Sequence, residues 1–287
     1  MLVELVQTQT ADRLRLDGAF CARVDDAPQR MICDAAILFS GVGSNFYGSS
    51  LMRHLTETLV DSGVVTLCVN TRGHDGVSTA STPGGGRLQG AAYEIVDDCR
   101  HDVTAWADFL VDRGYSRIAL VGHSLGAIKT LYSQAHQPHE HVQKVVAISP
   151  PRLSYDDFCH GPQSTAFLES MSTAQAMVDR GESNMLFQAQ FPFPIVISAA
   201  TYLDKYGRPS RYNILRFASQ VACPVQFVYG ADELENGGIA FAGLPKAISG
   251  LAWSNPPAIE IVPEANHFYA GHFNALSDRL RSGLSKM

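Results

Sequence analysis

The pentapeptide Gly122-His-Ser-Leu-Gly126 contains a potential nucleophile, Ser124, between two glycines. It follows an apolar run at 118–121 and precedes a segment with helical character at 124–136. The pattern therefore predicts a strand, a sharp turn and a helix, with Ser124 at the turn. So tight a turn strains the serine backbone and admits only residues without bulky side chains on either side. The strain lifts the hydroxyl clear of the sheet, where a base could reach it.

A serine hydroxyl is a weak nucleophile near neutral pH and needs a neighbouring base. Imidazole suits that role because its ordinary pKa, about 6.5, lies near the working pH, and its second nitrogen then needs an acceptor. Asp232 follows a predicted strand at 225–229, and His267 follows a predicted strand at 258–262. All three residues follow the carboxyl ends of predicted parallel strands, so the sequence predicts that Asp232, His267 and Ser124 lie at one edge of the sheet. Ligands bind at that edge in such folds.

The elements around these residues alternate between buried strands and amphipathic helices. This alternation implies right-handed crossovers and an α/β fold, with a mostly parallel central sheet of about eight strands and helices on both faces. An N-terminal hairpin, formed by 2–8 and 13–23, precedes the alternating part. The other predicted strands are 35–39, 64–69, 116–121, 142–148, 225–229 and 258–262, and the predicted helices are 46–62, 94–112, 124–136, 239–251 and 272–284.

Residues 151–219 interrupt the alternation of strands and helices. They lack a strongly apolar strand before 195–197 and are rich in phenylalanine and tyrosine. We interpret them as a lid inserted after the sixth strand, over the carboxyl edge of the sheet; the alternative is a set of helices that only completes the core. The predicted organisation is a core of 1–150 and 220–287 with a lid at 151–219.

The sequence resembles the α/β-hydrolase superfamily from about residue 30 to the end, apart from the predicted lid. The resemblance implies Ser124 as nucleophile, Asp232 as acid and His267 as base. In the segment after the fourth strand, Asn70 stands where the family usually has aspartate, and Asp75 is an extra residue. The matching motifs are Gly122-His-Ser-Leu-Gly126, Tyr229-Gly-Ala-Asp232, Asn266-His267-Phe268 and Asn70-Thr-Arg-Gly-His-Asp-Gly-Val-Ser78.

The loop after the third strand departs from the family pattern, which commonly begins His-Gly. The resemblance implies an oxyanion hole made by the backbone N–H groups of Val42 and Leu125, and such donors do not depend on side-chain identity. Which amide of 42–45 is used stays open. The two glycines at 41 and 43 do not form a dinucleotide fingerprint, since Phe46 stands where its third glycine is needed.

Further acidic residues and histidines compete for these roles. The competing histidines are expected to be buried, to cap or pack against the last helix, or to lie in a loop. The helix 94–112 carries three aspartates that we expect to be solvated. The competing acids are Glu233, Glu235, Asp156 and Asp157; the competing histidines are His123, His272 and His74; the helical aspartates are Asp97, Asp98 and Asp102.

Composition narrows the class of protein. The chain has 287 residues, 46% of them hydrophobic, and a net charge of −6, without a basic cluster that could neutralise nucleic-acid phosphates. No run of 18 apolar residues and no signal peptide is recognisable. The scattered cysteines indicate reduced thiols and a cytoplasmic location. Neither a metal-binding motif nor a cofactor motif is present, so no cofactor is expected.

The function expected from these features is that of a serine hydrolase. It would cleave a carboxylic ester of an apolar or aromatic small molecule through an acyl-enzyme on Ser124. The same residues would also serve a thioesterase, an acyltransferase, an amidase or a carbon–carbon bond hydrolase. A non-catalytic ligand-binding protein on this fold is a further possibility. The expected partner is a small-molecule acyl substrate, and the oligomeric state stays open, a homodimer included.

Overall fold

A mostly parallel sheet of eight strands forms the centre of the molecule. The computed structural model describes residues 1–23 and 31–285. The central strand order is β1-β2-β4-β3-β7-β8-β11-β12; β2 is antiparallel to β1 and to β4, and the remaining pairs are parallel. The predicted fold class is thus confirmed. The strands are β1 Leu2–Gln9, β2 Arg15–Ala22, β3 Ala35–Phe39, β4 Val65–Val69, β5 Ser78–Thr82, β6 Gly85–Gln89, β7 Ile118–His123, β8 Val142–Ile148, β9 Leu186–Ala189, β10 Ile195–Ser198, β11 Val225–Gly230 and β12 Ala258–Val262.

Helices cover both faces of this sheet. Short 3₁₀ segments at Val96–Asp98, Ile214–Arg216 and Ala218–Gln220 supplement them. No helix in the described ranges is long and apolar enough to cross a bilayer. The α-helices are α1 Ser50–Asp61, α2 Cys99–Asp112, α3 Leu125–His136, α4 Tyr155–His160, α5 Ser164–Asp179, α6 Ala199–Tyr206, α7 Ala231–Asn236, α8 Leu244–Ser249 and α9 Phe273–Leu284.

Two hydrophobic cores lie on opposite faces of the sheet. Neighbouring strand residues divide between them: Ile37 joins one core and Leu38 the other, as the alternation of side chains along a strand requires. Helices α2 and α3 pack on the first face, and α1 and α9 pack on the second. Since both faces are covered, β3 is buried at every residue and reads as a continuous apolar run.

Three predicted helices begin later than expected. The predicted helix 94–112 begins as α2 at Cys99, after the 3₁₀ segment Val96–Asp98, and the other two differences leave a loop before the helix. The predicted helix 46–62 begins at Ser50, where the Ser49 hydroxyl accepts a hydrogen bond from a backbone N–H of the first turn. The predicted helix 239–251 is limited to Leu244–Ser249, because Gly243 adopts a left-handed conformation with φ of 69° and a proline follows in the first turn. The freed residues stay in loops near the sheet edge.

The segment 151–219, hereafter the insertion, contains α4, α5, α6 and the hairpin of β9 and β10. Several of its aromatic side chains are buried and join the core on the α2 and α3 face. Others line a cavity at the carboxyl edge of the sheet. The insertion therefore contributes both to the core and to the wall of that cavity. The aromatic residues in the core include Phe167, Tyr202, Tyr212 and Phe217.

Candidate active site

Ser124 lies at a strained turn between β7 and α3. Its φ of 56° and ψ of −122° fall outside the regions that side-chain-bearing residues ordinarily adopt. Both flanking glycines are sterically required. A carbon added at Gly122 would lie 2.4 Å from the carbonyl oxygen of Gly126, and one added at Gly126 would lie 2.3 Å from that of Phe39. The local sequence thus allows the close approach of strand, turn and loop that presents the Ser124 hydroxyl.

Ser124, His267 and Glu233 form a continuous line of hydrogen bonds. Ser124 Oγ lies 3.0 Å from His267 Nε2, and His267 Nδ1 lies 2.7 Å from Glu233 Oε2. An ionised carboxylate only accepts hydrogen bonds, so the imidazole proton belongs on Nδ1. Nε2 is then free to accept the Ser124 proton. This arrangement has the donor and acceptor order that general-base activation of a hydroxyl needs.

The structure does not bring Asp232 to His267, contrary to the sequence prediction. Asp232 accepts a hydrogen bond from Asn236, one helical turn further on, at 2.7 Å on an exposed surface. Its neighbour Glu233, a competing acid at the sequence level, faces inward, and its side chain is fully buried. Glu235 is exposed. The acid in contact with His267 is therefore one residue further along the chain than the motif implied.

A backbone contact explains why residue 233 points inward. The carbonyl oxygen of Ala265 accepts hydrogen bonds from the N–H groups of Asp232 and Glu233 at 3.1 and 3.3 Å. Gly230 permits this approach, since an added carbon there would lie 2.1 Å from that oxygen. The chain turns into α7 at this point, and successive helical side chains point in different directions. The contact fixes Glu233 beneath His267 and leaves Asp232 half-buried at the surface.

The environment of Glu233 favours a charged partner. Its Oε1 has no hydrogen-bond partner within the described residues, and its side chain is fully buried, so the carboxylate is poorly solvated. Burial, and then the Glu233 carboxylate, raise the pKa of the Tyr229 and Tyr269 phenols, which stay neutral. A positive charge on His267 would therefore meet a strong, weakly screened attraction.

His123 holds the loop that carries His267. Its Nε2 lies 2.8 Å from the carbonyl oxygen of His267, and only a protonated Nε2 can donate to that acceptor. Burial, and then the proximity of His267, lower the pKa of His123 to about 3. His123 is thus a neutral donor at working pH, in agreement with the expectation of a buried, hydrogen-bonded histidine.

The loop after β3 lies directly against Ser124. A carbon added at Gly41 would be 3.1 Å from Ser124 Cβ. Val42 and Leu125, the residues predicted to supply oxyanion donors, line the same cavity as Ser124. Neither backbone amide has an intramolecular acceptor within residues 1–23 and 31–285. Both amides are therefore available to a ligand, as an oxyanion hole requires.

The side chains of Asn70 and Asp75, which were not predicted to belong to the site, anchor this loop. Asn45 Nδ2 donates to Asp75 Oδ1 at 2.7 Å, and the backbone N–H of Phe46 donates to Asn70 Oδ1 at 3.1 Å. The two departures from the family motif, Asn70 and Asp75, are thus the groups that hold the loop after β3. Only their position in that motif could have indicated this role.

The remaining candidates lie outside the site, and one prediction about them is wrong. Asp102 is fully buried rather than solvated, because Arg72 reaches it with Nη2 at 2.7 Å from its carboxylate. Asp97 and Asp98 are partly buried and pair with arginines. Within the described ranges, no group of three metal-ligating side chains could hold an ion. Of the competing acids and histidines not yet placed, His74 pairs with Asp75, Asp157 pairs with Arg152, Asp156 lies on the first turn of α4 and His272 precedes α9.

Two cavities meet at Ser124 and His267. The first, here called the apolar chamber, has a volume of about 360 Å³ and lies under the insertion and the loop 237–241. The second, here called the serine cleft, has a volume of about 450 Å³ and lies between the loop after β3 and the start of α1. The chamber is lined mainly by Val42, Leu125, Pro151, Leu153, Phe158, Phe191, Phe193, Tyr206, Ile239 and Phe241, and the cleft by Ser40, Gly41, Ser44, Gly48, Ser49, Ser50 and Leu51.

Comparisons with known proteins agree with this architecture. The solved structure of the α/β hydrolase GrgF from Penicillium sp. sh18 is 16% identical, with 99% of each chain covered and a TM-score of 0.70. Est1E from Butyrivibrio proteoclasticus, solved with ferulic acid bound, is 15% identical over 96% of this chain and 97% of its own, with a TM-score of 0.65. The Pyrococcus furiosus esterase Pf2001 is 15% identical over 98% and 90%, with a TM-score of 0.58.

These identities are low, so the structural neighbours establish the fold alone. No significant match was found among proteins with curated functions. The family model, in contrast, matches most of the sequence. It describes the alpha/beta hydrolase family and aligns with residues 36–279, which include the elbow serine, the acid loop and the histidine loop. The chain belongs to the α/β hydrolase family.

Proposed function

We propose that this protein is a serine hydrolase that cleaves a carboxylic ester, or a related acyl bond, of an apolar or aromatic small molecule. The hydrogen-bonded line of Ser124, His267 and Glu233 carries the proposal. Membership of the α/β hydrolase family and the esterases among the structural neighbours support it. In this proposal Glu233 replaces Asp232 as the acid, since Asp232 does not reach the imidazole.

Acylation would begin when Ser124 Oγ attacks the substrate carbonyl carbon and its proton passes to His267 Nε2. Negative charge would develop on the carbonyl oxygen, where the N–H groups of Val42 and Leu125 are free to donate. The imidazolium would be stabilised by Glu233, which has no competing cation among its hydrogen-bond partners in the described ranges. His267 would then protonate the leaving oxygen, which releases the alcohol and leaves the acyl group on Ser124.

Deacylation would repeat these steps with water. His267 Nε2 would take a proton from water as the water oxygen attacks the acyl carbon. Collapse of the second tetrahedral intermediate would return that proton to Ser124 Oγ and release the carboxylic acid. The His267 side chain is 26% exposed, so water can reach it, whereas the Glu233 side chain is fully buried.

The apolar chamber is the proposed site for the acyl portion. Its wall combines aromatic side chains of the insertion with the loop 237–241, and few polar groups interrupt it. A flat aromatic or branched apolar acyl group would bury well against such a wall. In this proposal the insertion acts as the lid predicted from the sequence, since Phe158 and Phe191 cover the chamber beside the carboxyl edge of the sheet.

Replacement of the nucleophile tests the proposal. Ser124→Ala should lower kcat for p-nitrophenyl butyrate about 10⁴-fold or more, because the triad acts as a unit. A fluorophosphonate probe should label the wild type and not this variant. Ser282→Ala, which alters an exposed serine on α9, is the matched control and should behave as wild type. Undiminished turnover by the Ser124 variant, or a folded wild type that neither turns over esters nor reacts with the probe, would refute the proposal.

A further inference from the structure

The two cavities on either side of Ser124 differ in chemistry. The apolar chamber is lined mostly by aromatic and aliphatic side chains, with Gln163 and Lys205 as exceptions, whereas the serine cleft adds four serine hydroxyls to apolar side chains such as Leu51. Both cavities include Ser124, His267, Phe193 and Phe268, so the reacting carbon would sit at their junction. A substrate that spans the junction would place one half in each environment.

The serine hydroxyls of the cleft can form hydrogen bonds with a ligand. The side chains of Ser40, Ser44 and Ser50 make no hydrogen bond to any other residue in the described ranges, and Ser49 uses its oxygen only to accept from the first turn of α1. All four are half-buried or exposed, so a ligand can reach them. A concentration of such hydroxyls beside the nucleophile favours a ligand with several polar groups of its own.

The direction of proton transfer assigns a substrate half to each cavity. The leaving oxygen takes a proton from His267 Nε2, and the hydrolytic water later gives a proton to the same nitrogen. Leaving group and water therefore occupy the same side of the acyl carbon. A bound water needs two to four polar partners, and the four serine hydroxyls of the cleft lie on the side of Ser124 that can supply them.

We infer that this enzyme hydrolyses esters of an apolar acid with a small polyhydroxy alcohol, whose acyl group lies in the apolar chamber and whose alcohol lies in the serine cleft. The inference rests on the proposed function, since it divides the substrate of the same site. Water and the ester yield the carboxylic acid and the free polyol. The alcohol hydroxyls would exchange hydrogen bonds with Ser44 and Ser50, which belong to the loop after β3 and the first turn of α1.

Two esters of one acid test the alcohol side. Hydrolysis of methyl 3-phenylpropanoate and of its 1-glyceryl ester should be measured by release of the acid. We expect kcat/KM to be about tenfold higher for the glyceryl ester, the size that one or two net hydrogen bonds produce. The double variant Ser44→Ala/Ser50→Ala should bring this ratio close to one, and Ser50→Ala alone should move it part of the way. Ser282→Ala should leave the ratio unchanged.

A complementary variant tests the acyl side. Ala240→Phe should narrow the apolar chamber, which Ala240 lines, and lower kcat/KM for phenylpropanoyl esters at least tenfold relative to acetyl esters. It should leave the glyceryl-to-methyl ratio as in wild type. A wild-type ratio at or below one, or a ratio that responds to residue 240 and not to the cleft serines, would overturn the inference and leave the proposed function standing. Absence of turnover with both esters and with p-nitrophenyl butyrate would overturn both.

Discussion

The choice between Glu233 and Asp232 as the acid gives the sharpest test of the site. The variants Glu233→Gln and Asp232→Asn each replace one carboxylate by an amide of the same shape. In the structure only Glu233 reaches His267 Nδ1, at 2.7 Å, and Asp232 instead contacts Asn236 on the surface. The two variants should therefore differ strongly although the residues are adjacent and both are acidic.

The expected loss for Glu233→Gln follows from what the carboxylate does. An amide could donate to Nδ1 and so hold the wrong tautomer, with the proton on Nε2, where the Ser124 proton must go. It would also remove the charge that stabilises the imidazolium from a fully buried position. The same change in the serine-protease triad costs about 10⁴ in kcat. That factor corresponds to about 5.5 kcal/mol of transition-state free energy, at about 1.36 kcal/mol per tenfold.

Steady-state hydrolysis of p-nitrophenyl butyrate between pH 6 and 9 is the assay. We expect Asp232→Asn to stay within about threefold of wild type, because loss of one exposed side-chain contact changes little. Circular dichroism and thermal unfolding of both variants show whether each is folded, which matters for the buried Glu233. A folded Glu233→Gln enzyme within tenfold of wild type, or an equal loss in Asp232→Asn, would refute the reasoning.

Three further predictions concern groups around the site. The pKa of His123 is about 3 in the folded protein and about 6.5 in the unfolded chain, so between these pH values only the unfolded chain has a protonated His123. The free energy of unfolding should therefore fall by about 1.36 kcal/mol per pH unit as the pH drops below 6.5. Urea unfolding at pH 7 and 4.5 should show this loss, about 2.7 kcal/mol, in wild type and not in His123→Asn; equal slopes would contradict it. Gly126→Ala places a carbon 2.3 Å from the Phe39 carbonyl oxygen and should displace the loop after β3, so we expect about a hundredfold loss of kcat with p-nitrophenyl butyrate. Lys205→Met leaves the buried Glu94 with one fewer cation and should lower the free energy of unfolding by about 2 kcal/mol, and by less in the Glu94→Gln background; urea titration of both variants checks this coupling.

The sheet was largely predictable from sequence, because strands covered on both faces are continuous apolar runs. Strands β8 and β12 have the bounds that the sequence predicted, and the carboxyl edge carries Ser124 and His267 as expected. Helix starts were harder to predict. Helix α1 begins where Ser49 caps it, four residues after the predicted start, since apolar spacing continues through Phe46 into the preceding loop.

The burial of two acidic residues, Asp102 and Glu233, could not be predicted from sequence, because their partners come from distant parts of the chain. Asp102 has the spacing of an exposed residue of α2. Arg72, 30 positions earlier and just after β4, nevertheless reaches its carboxylate and buries it. Such a buried pair forms only when β4 and α2 pack together. Local periodicity carries no information about a charge that another element will supply.

Glu233 illustrates the same point at the level of the site. The motif after β11 fixes where the strand ends, but not which of the next two side chains faces the histidine. That choice depends on Ala265, whose carbonyl oxygen receives the N–H groups of residues 232 and 233. The contact also joins the acid loop to the loop of His267, so it sets the position of acid and base together. A substitution that moved this carbonyl would shift Glu233 and His267 as a unit. The turn of Ser124 is tied to the same loop by its neighbour His123, whose Nε2 donates to the His267 carbonyl oxygen at 2.8 Å, so backbone contacts hold the acid, the base and the serine in register.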